Sequence, residues 1–200
     1  MIPRALVPVA FALGLLLGVG EAVAAQERPL VVIDPGHGGD EAGVVAGDLV
    51  EKDLILPVSL AIGAEFAAAG YDVAFTRTAD EAVAWDDRRA RADDSGAVAL
   101  FMLHAMQSDD PADAGAEVYF DETNEASSAL ARAVATELER LGSNVLVDPR
   151  PWPFLQSPTA PTAMIELAHL TNPGERARML DPAFHHELGR ALVAALEAVR

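Results

Sequence analysis

Two histidines and two glutamates stand in this chain where a hydrolytic metal centre needs them. His37 lies within Asp34-Pro35-Gly36-His37-Gly38-Gly39, Glu51 opens Glu51-Lys52-Asp53, His104 follows an apolar stretch from Ala97 to Leu103, and Glu166 ends Pro161 to Glu166. Catalytic zinc takes three protein ligands from His and Glu and keeps a fourth position for water, whose pKa falls toward about 7. His37, Glu51 and His104 are candidate ligands for one Zn2+ ion. Glu166 is then left as the carboxylate that moves the proton, first as base and later as acid to a leaving amine. A carboxylate beside Ile165 and Leu167 is costly to bury without such a purpose. Gly36, Gly38 and Gly39 leave His37 little steric cover, so a large substrate can approach. Each signal alone has a plainer reading: a tight turn, a core histidine, or a glutamate favouring a helix N-terminus. Their combination points to metal-assisted hydrolysis.

These groups need elements to hold them. Leu30-Val31-Val32-Ile33 reads as a buried strand ending at Asp34-Pro35-Gly36. Leu54, Val58, Ile62 and Phe66 recur every four residues, and Gly70 stops that helix. Asp72 to Thr76 and Ala97 to Leu103 read as strands separated by a charged helix around Trp85 to Asp93. Ala116 to Phe120 is a further strand, followed by a helix with Leu130, Val134, Leu138 and Leu141 on its stripe and Gly142 at its end. Val145 to Val147 adds a short strand, and the five prolines between Asp148 and Pro161 predict an ordered loop. Ala163 to Leu167 is the last strand. Asn172-Pro173-Gly174-Glu175 and Asp181-Pro182 each start a helix. Such alternation predicts one α/β domain, a mostly parallel twisted sheet with helices on both faces. Sites in such sheets gather at the carboxyl ends of strands, where His37, His104 and Glu166 fall.

Two hundred residues with 51% hydrophobic content suit one domain with a proper core. Residues 1–25 are set apart from it: Arg4, an apolar run from Ala5 to Gly20, and Ala22-Val23-Ala24-Ala25 read as a secretory signal peptide. The expected catalytic domain is therefore residues 26–200 of an exported protein, placed in the periplasm or cell envelope with no stable membrane association after cleavage. The absence of cysteine excludes disulfides and a lipoprotein anchor. A net charge of −17 disfavours nucleic acid and anionic lipid as partners.

Over Leu30 to the C-terminus the chain resembles the zinc-dependent N-acetylmuramoyl-L-alanine amidases of the amidase type 3 family. Asp34 to Gly39 looks like the family's Asp-Pro-Gly-His-Gly-Gly opening, and Glu51-Lys52-Asp53 like its ligand segment. Thr76-Arg77 with Asp80, Arg88 with Ala92-Asp93, and Gly115 to Tyr119 match further motifs. Pro161 to Glu166 and Thr171-Asn172-Pro173 are similar to the strand of the catalytic glutamate and the turn after it. The resemblance implies that His37, Glu51 and His104 hold zinc and that Glu166 is catalytic. It implies hydrolysis of the amide between N-acetylmuramic acid and L-alanine, with peptidoglycan as partner, by a monomer whose protein activator, if any, is unknown.

The chain also departs from that pattern. Met102-Leu103-His104-Ala105-Met106 replaces Ser-Ile-His-Ala-Asn, His169 stands where phenylalanine is common, and the proline-rich stretch replaces a segment with an Asn-Arg-Gly turn, for which Arg150 is a candidate substitute. The span from His104 to Glu166 leaves no room for an inserted plugging helix. His169 is close enough in sequence to Glu166 to serve the site or substrate. Arg77 and Arg88 read as structural ion-pair formers, His185 and His186 as ordinary helix positions, and Trp152 and Phe154 as loop anchors or stacking surfaces. The acidic residues Glu117, Asp121 and Glu122 read as solvated surface. Two other readings stay open: a non-catalytic peptidoglycan-binding or regulatory module, and a zinc peptidase acting on the stem peptide.

Overall fold

The computed structural model describes residues 28–157 and 159–200; the expected signal peptide lies outside the described residues. Leu30–Pro35 forms β1, a run of apolar residues buried on both faces. It is followed by a small hairpin, β2 (Val45–Ala46) and β3 (Leu49–Val50), and by α1 (Glu51–Ala68). Then come β4 (Asp72–Phe75), α2 (Trp85–Ser95), β5 (Ala99–Met106), β6 (Ala116–Phe120), α3 (Glu125–Arg140) and β7 (Val145–Pro149). A single 3-10 turn at Pro153–Leu155 precedes β8 (Thr162–His169), α4 (Pro173–Met179) and α5 (Pro182–Glu197).

Six strands form the central sheet in the order β4-β1-β5-β8-β6-β7. Strands β4, β1, β5 and β8 run parallel, as do β6 and β7, while β6 pairs antiparallel with β8. The mostly parallel sheet is as expected, and its antiparallel junction has a simple cause. Parallel strands need a crossover of a dozen residues or more, usually a helix, and the turn at 107–115 between β5 and β6 is too short for one. The amino end of β6 therefore meets the carboxyl ends of β1, β5 and β8.

On one face, Val31, Ile33, Phe101, Leu103, Val118 and Ile165 pack with Ile55, Ile62 and Phe66 of α1, Leu130 and Val134 of α3, and Leu188 and Leu192 of α5. Each such side chain contributes about 1.5–3 kcal/mol when fully buried. On the other face, Val32, Leu100, Met102 and Met164 are covered by Ala92 of α2 and by Leu155 and Ala160 of the proline-rich segment. That segment is strapped to α2: Ser157 Oγ donates to Asp93 Oδ1 at 2.5 Å, and Arg89 Nη1 donates to the Gln156 carbonyl at 3.1 Å. β7 runs on to Pro149, tolerated because this is an edge strand. The β2–β3 hairpin was not legible in the sequence, since each of its strands is only two residues long.

Candidate active site

Three elements deliver their ends to one point. The ladder of β1 continues one step past Pro35, where the Gly36 N–H donates to the Leu103 carbonyl at 2.9 Å. The chain then turns at His37, whose φ of 58° is the one positive value among the described non-glycine residues. His104 lies near the end of β5, 3% exposed, and Glu51 is the first residue of α1, 1% exposed. His37 Nε2 lies 3.1 Å from Glu51 Oε1, His104 Nδ1 lies 3.3 Å from that oxygen, and the two ring nitrogens are 3.2 Å apart. A tetrahedral ion with bonds of about 2.0–2.1 Å needs ligand atoms about 3.3–3.4 Å apart. The triangle meets that spacing, and among the described residues this is the group able to hold a metal ion.

Glu51 is aimed by the backbone: its Oε1 accepts from the Ala105 N–H at 2.9 Å and its Oε2 from the Val44 N–H at 2.8 Å. Burial would raise its pKa, but the hydrogen bonds of His104, His37 and the two backbone amides outweigh burial and bring it to about 2. The carboxylate is thus ionised and ready for a cation. The His37 backbone is held by two buried arginines. Arg77 donates to the carbonyls of Pro35 and Gly36 at 2.9 and 2.8 Å. Arg88 donates to the carbonyls of Pro35 and His37 at 2.9 and 2.7 Å and pairs with the Asp34 carboxylate at 2.6 Å. Arg88 forms the expected ion pair, whereas among the described residues Arg77 bonds backbone carbonyls instead. Lys52 adds a brace, reaching the Gly39 carbonyl and Asp80, each at 2.7 Å.

Two glycines leave room for the ligands themselves. A Cβ on Gly36 would come within 2.3 Å of the His104 ring, and one on Gly43 would meet Glu51 Oε2 and the His37 ring. Gly36 therefore clears His104, rather than uncovering His37. Gly36→Ala is expected to unseat His104 and weaken metal binding at least 10-fold, a loss typical of a disturbed orienting contact. Equilibrium competition with a chromophoric chelator would measure it, and unchanged affinity would contradict the packing.

Glu166 lies beside His104 on the neighbouring strand, and Glu117 of β6 lies beside Glu166 in turn. Directly paired residues share a sheet face, so these three side chains form one row. The Tyr119 hydroxyl bonds Glu117 Oε2. Glu166 Oε2 and His104 Nε2 are buried without a hydrogen-bond partner among the described residues. Burial first, then the charges of Glu51 and Glu117, push the Glu166 pKa up to about 8. Glu117, expected on solvated surface, is instead a half-buried neighbour of Glu166. The sequence hid it because the antiparallel turn of β6 brings it to this edge.

The pKa shifts fix a stability profile for the metal-free protein. A raised folded-state pKa stabilises below the unfolded value and is lost as pH rises through the folded value. Glu166 thus costs stability progressively from about pH 4.5 to about pH 8, at up to about 1.4 kcal/mol per pH unit. Glu51 works in the opposite sense, its contribution being lost as pH falls from about 4.5 to about 2. Denaturant titrations of metal-free protein from about pH 5 to about pH 8 should show the decline, and Glu166→Gln should flatten it. Parallel profiles would refute the burial of a charged Glu166.

A column of aromatic rings leads away from the site. Trp85 stacks on His104 at 6.0 Å and on Phe154 at 4.3 Å; Trp152 follows at 5.4 Å from Phe154, with Tyr119 at 5.1 Å from Trp152. Trp152 and Phe154 thus anchor the proline-rich segment, while Trp85, which no sequence pattern marked, backs a candidate ligand. Arg150 sits over the rings of Tyr119 and Trp152 and pairs with Asp148 at 2.5 Å. Trp85→Ala is expected to weaken metal affinity about 10–100-fold by freeing the His104 ring, measured by the same chelator competition. His169 lies on β8 paired with Met106. His185 bonds the Met179 carbonyl at 2.7 Å and His186 meets Glu65 at 2.7 Å, both on α5 and apart from the site.

The chain is similar to known proteins over this whole region. It is 24% identical to the N-acetylmuramoyl-L-alanine amidase AmiC of Neisseria meningitidis, over 85% of this chain and 52% of that protein. The chain thus spans about half the length of that relative. Among solved structures, AmiC2 of Nostoc punctiforme is 27% identical with a TM-score of 0.78, covering 86% of this chain and 97% of that one. The CwlD amidase of Clostridioides difficile, solved in complex with the GerS lipoprotein, shares the fold at 21% identity and a TM-score of 0.80, covering 86% and 98%. The profile of the Amidase 3 family, described as N-acetylmuramoyl-L-alanine amidase, matches residues 31–198. A sheet edge that gathers His37, Glu51, His104 and Glu166, together with that match, places the chain in the N-acetylmuramoyl-L-alanine amidase family.

Proposed function

We propose that residues 26–200 form an exported catalytic domain that hydrolyses the amide between N-acetylmuramic acid and L-alanine in peptidoglycan. His37, Glu51 and His104 hold one zinc ion, and Glu166 is the catalytic acid-base. The triangle of ligand atoms at 3.1–3.3 Å, with Glu166 on the adjacent strand, carries this reading. Bound there, zinc would polarise the amide carbonyl and acidify water.

Glu166 accepts the proton of the attacking water and passes it to the departing amide nitrogen. Its high proton affinity in the metal-free protein suits a group that must hold a proton before delivering it, and a nearby divalent cation favours the ionised form needed at the start. Without the ion, Glu51 Oε1 faces both imidazoles, and its other oxygen, held by the Val44 amide, keeps the carboxylate aimed at the ligand triangle. All of these residues come from one chain, so a monomer suffices. Among the described residues no helix is long and apolar enough to cross a membrane. The expected leader supports action in the periplasm or cell envelope.

The test is product identity. Purified protein with zinc, incubated with peptidoglycan, should release intact stem peptides with a free N-terminal L-alanine, detected by mass spectrometry. Release of fragments cut within the stem would make it a peptidase. Retention on the wall without release would make it a binding module.

A further inference from the structure

β8 carries an irregularity at the site. His104 pairs with Glu166 and Met106 with His169, so one residue on β5, Ala105, faces two on β8, Leu167 and Ala168. Both Leu167 and Ala168 are buried in the core on the α1, α3, α5 side, as is Leu170. A bulge of this kind re-aims the side chains beyond it and is over-represented beside active sites. Without it, strict alternation would send His169 to the face opposite Glu166. With it, His169 falls on the same face as Glu166, beside Met106.

His169 is also unspent. Its Nδ1 is buried with no hydrogen-bond partner among the described residues, while its backbone N–H is fixed by Glu175 Oε2 at 2.7 Å. Glu175 further accepts from the Gly115 N–H at 2.9 Å, which ties the end of β8 to the start of β6. The ring stands on a braced strand end, half-buried, with a polar atom that protein groups leave free.

The direction of the reaction says what meets it. In amide hydrolysis the departing nitrogen must reach the acid, here Glu166. Whatever is attached to that nitrogen lies on the β8 side of the ligand triangle, and His169 is the next polar side chain along β8 on that face. Resting on the amidase reading, we propose that His169 is a substrate-binding residue that donates a hydrogen bond to the leaving stem peptide, at a backbone carbonyl or carboxylate beyond the scissile nitrogen. Losing one such bond to a polar acceptor is worth about tenfold in affinity.

The experiment compares His169→Phe, which keeps a ring but no donor, with His169→Asn, which keeps a donor near Nδ1. With a soluble muramoyl tetrapeptide, His169→Phe is expected to raise KM about tenfold with kcat and zinc affinity retained, and His169→Asn to recover most of the loss. A wild-type KM in His169→Phe overturns the proposal. So does an equal loss in both variants with a lowered Tm, which marks a packing role. A second arm measures binding of the same muropeptide to zinc-loaded Glu166→Gln with and without His169→Phe. If the wild type releases no peptide, the amidase reading falls, and this arm still decides His169: a tenfold weaker Kd supports the contact, and an equal Kd overturns it.

Discussion

Glu166→Gln is expected to lower kcat by between about 100-fold and about 10,000-fold while leaving one zinc ion bound. The amide keeps the size of the carboxyl and adds no charge to the row shared with His104 and Glu117. It cannot carry a proton from water to the leaving nitrogen. The neighbouring triangle of His37, Glu51 and His104 does not depend on Glu166 for any of its contacts. Metal content by elemental analysis and peptide release from peptidoglycan separate the two properties. A variant that retains full activity removes Glu166 from the mechanism, and one that loses its zinc makes Glu166 part of the metal site.

His37→Ala should lose both properties. Two of the three donor atoms remain, and the bound ion loses the ligand on which closure of the triangle depends. Zinc is expected to fall to near zero equivalents after dialysis, with activity at background. The backbone provides a further check. His37 sits at a φ of 58°, a left-handed conformation that costs a residue with a Cβ about 1–2 kcal/mol. Alanine inherits that cost and glycine escapes it. Metal-free His37→Gly should thus be about 1 kcal/mol more stable than metal-free His37→Ala in denaturant titrations. Equal stabilities would mean that the Arg77 and Arg88 bonds to this turn, and not the backbone region itself, set its energy.

Most of the helix and strand plan was legible because the apolar runs and the proline and glycine stops around them are strong. β1 and the apolar stretch of β5 read as buried strands from composition alone, and Asn172 and Asp181 announce α4 and α5 as the capping side chains they are. His37 and His104 were legible because each stands just beyond the end of such a run, and Glu51 because it opens the helix that follows the first strand. What pattern could not show is contact between distant segments. Glu117 looked like one more surface acid, and only the antiparallel pairing of β6 with β8 sets it beside Glu166. Gly43 carries no signal in the sequence, and only the packed loop shows that a Cβ there would strike Glu51 and His37. Trp85 reads from sequence as part of a charged helix, yet its ring lies on His104. The bulge that carries His169 to the site face leaves no periodicity signal, because it breaks the period.

The two arginines show how the fold and the site depend on one another. Arg77 and Arg88 are among the most buried polar groups of the described residues, and half of their hydrogen bonds go to carbonyls of the turn that carries His37. The turn cannot pair those carbonyls through a regular ladder, since it has just left β1. A site geometry that sheet hydrogen bonds cannot supply is supplied by side chains from the elements that follow β4.

The most direct test of the metal centre is a zinc titration of the metal-free protein, read as the rate of release of peptides with N-terminal L-alanine from peptidoglycan. The rate should climb in proportion to zinc and level off at one equivalent, as expected for one ion held by His37, Glu51 and His104. Full activity without zinc, or no activity at one bound equivalent, would contradict the account.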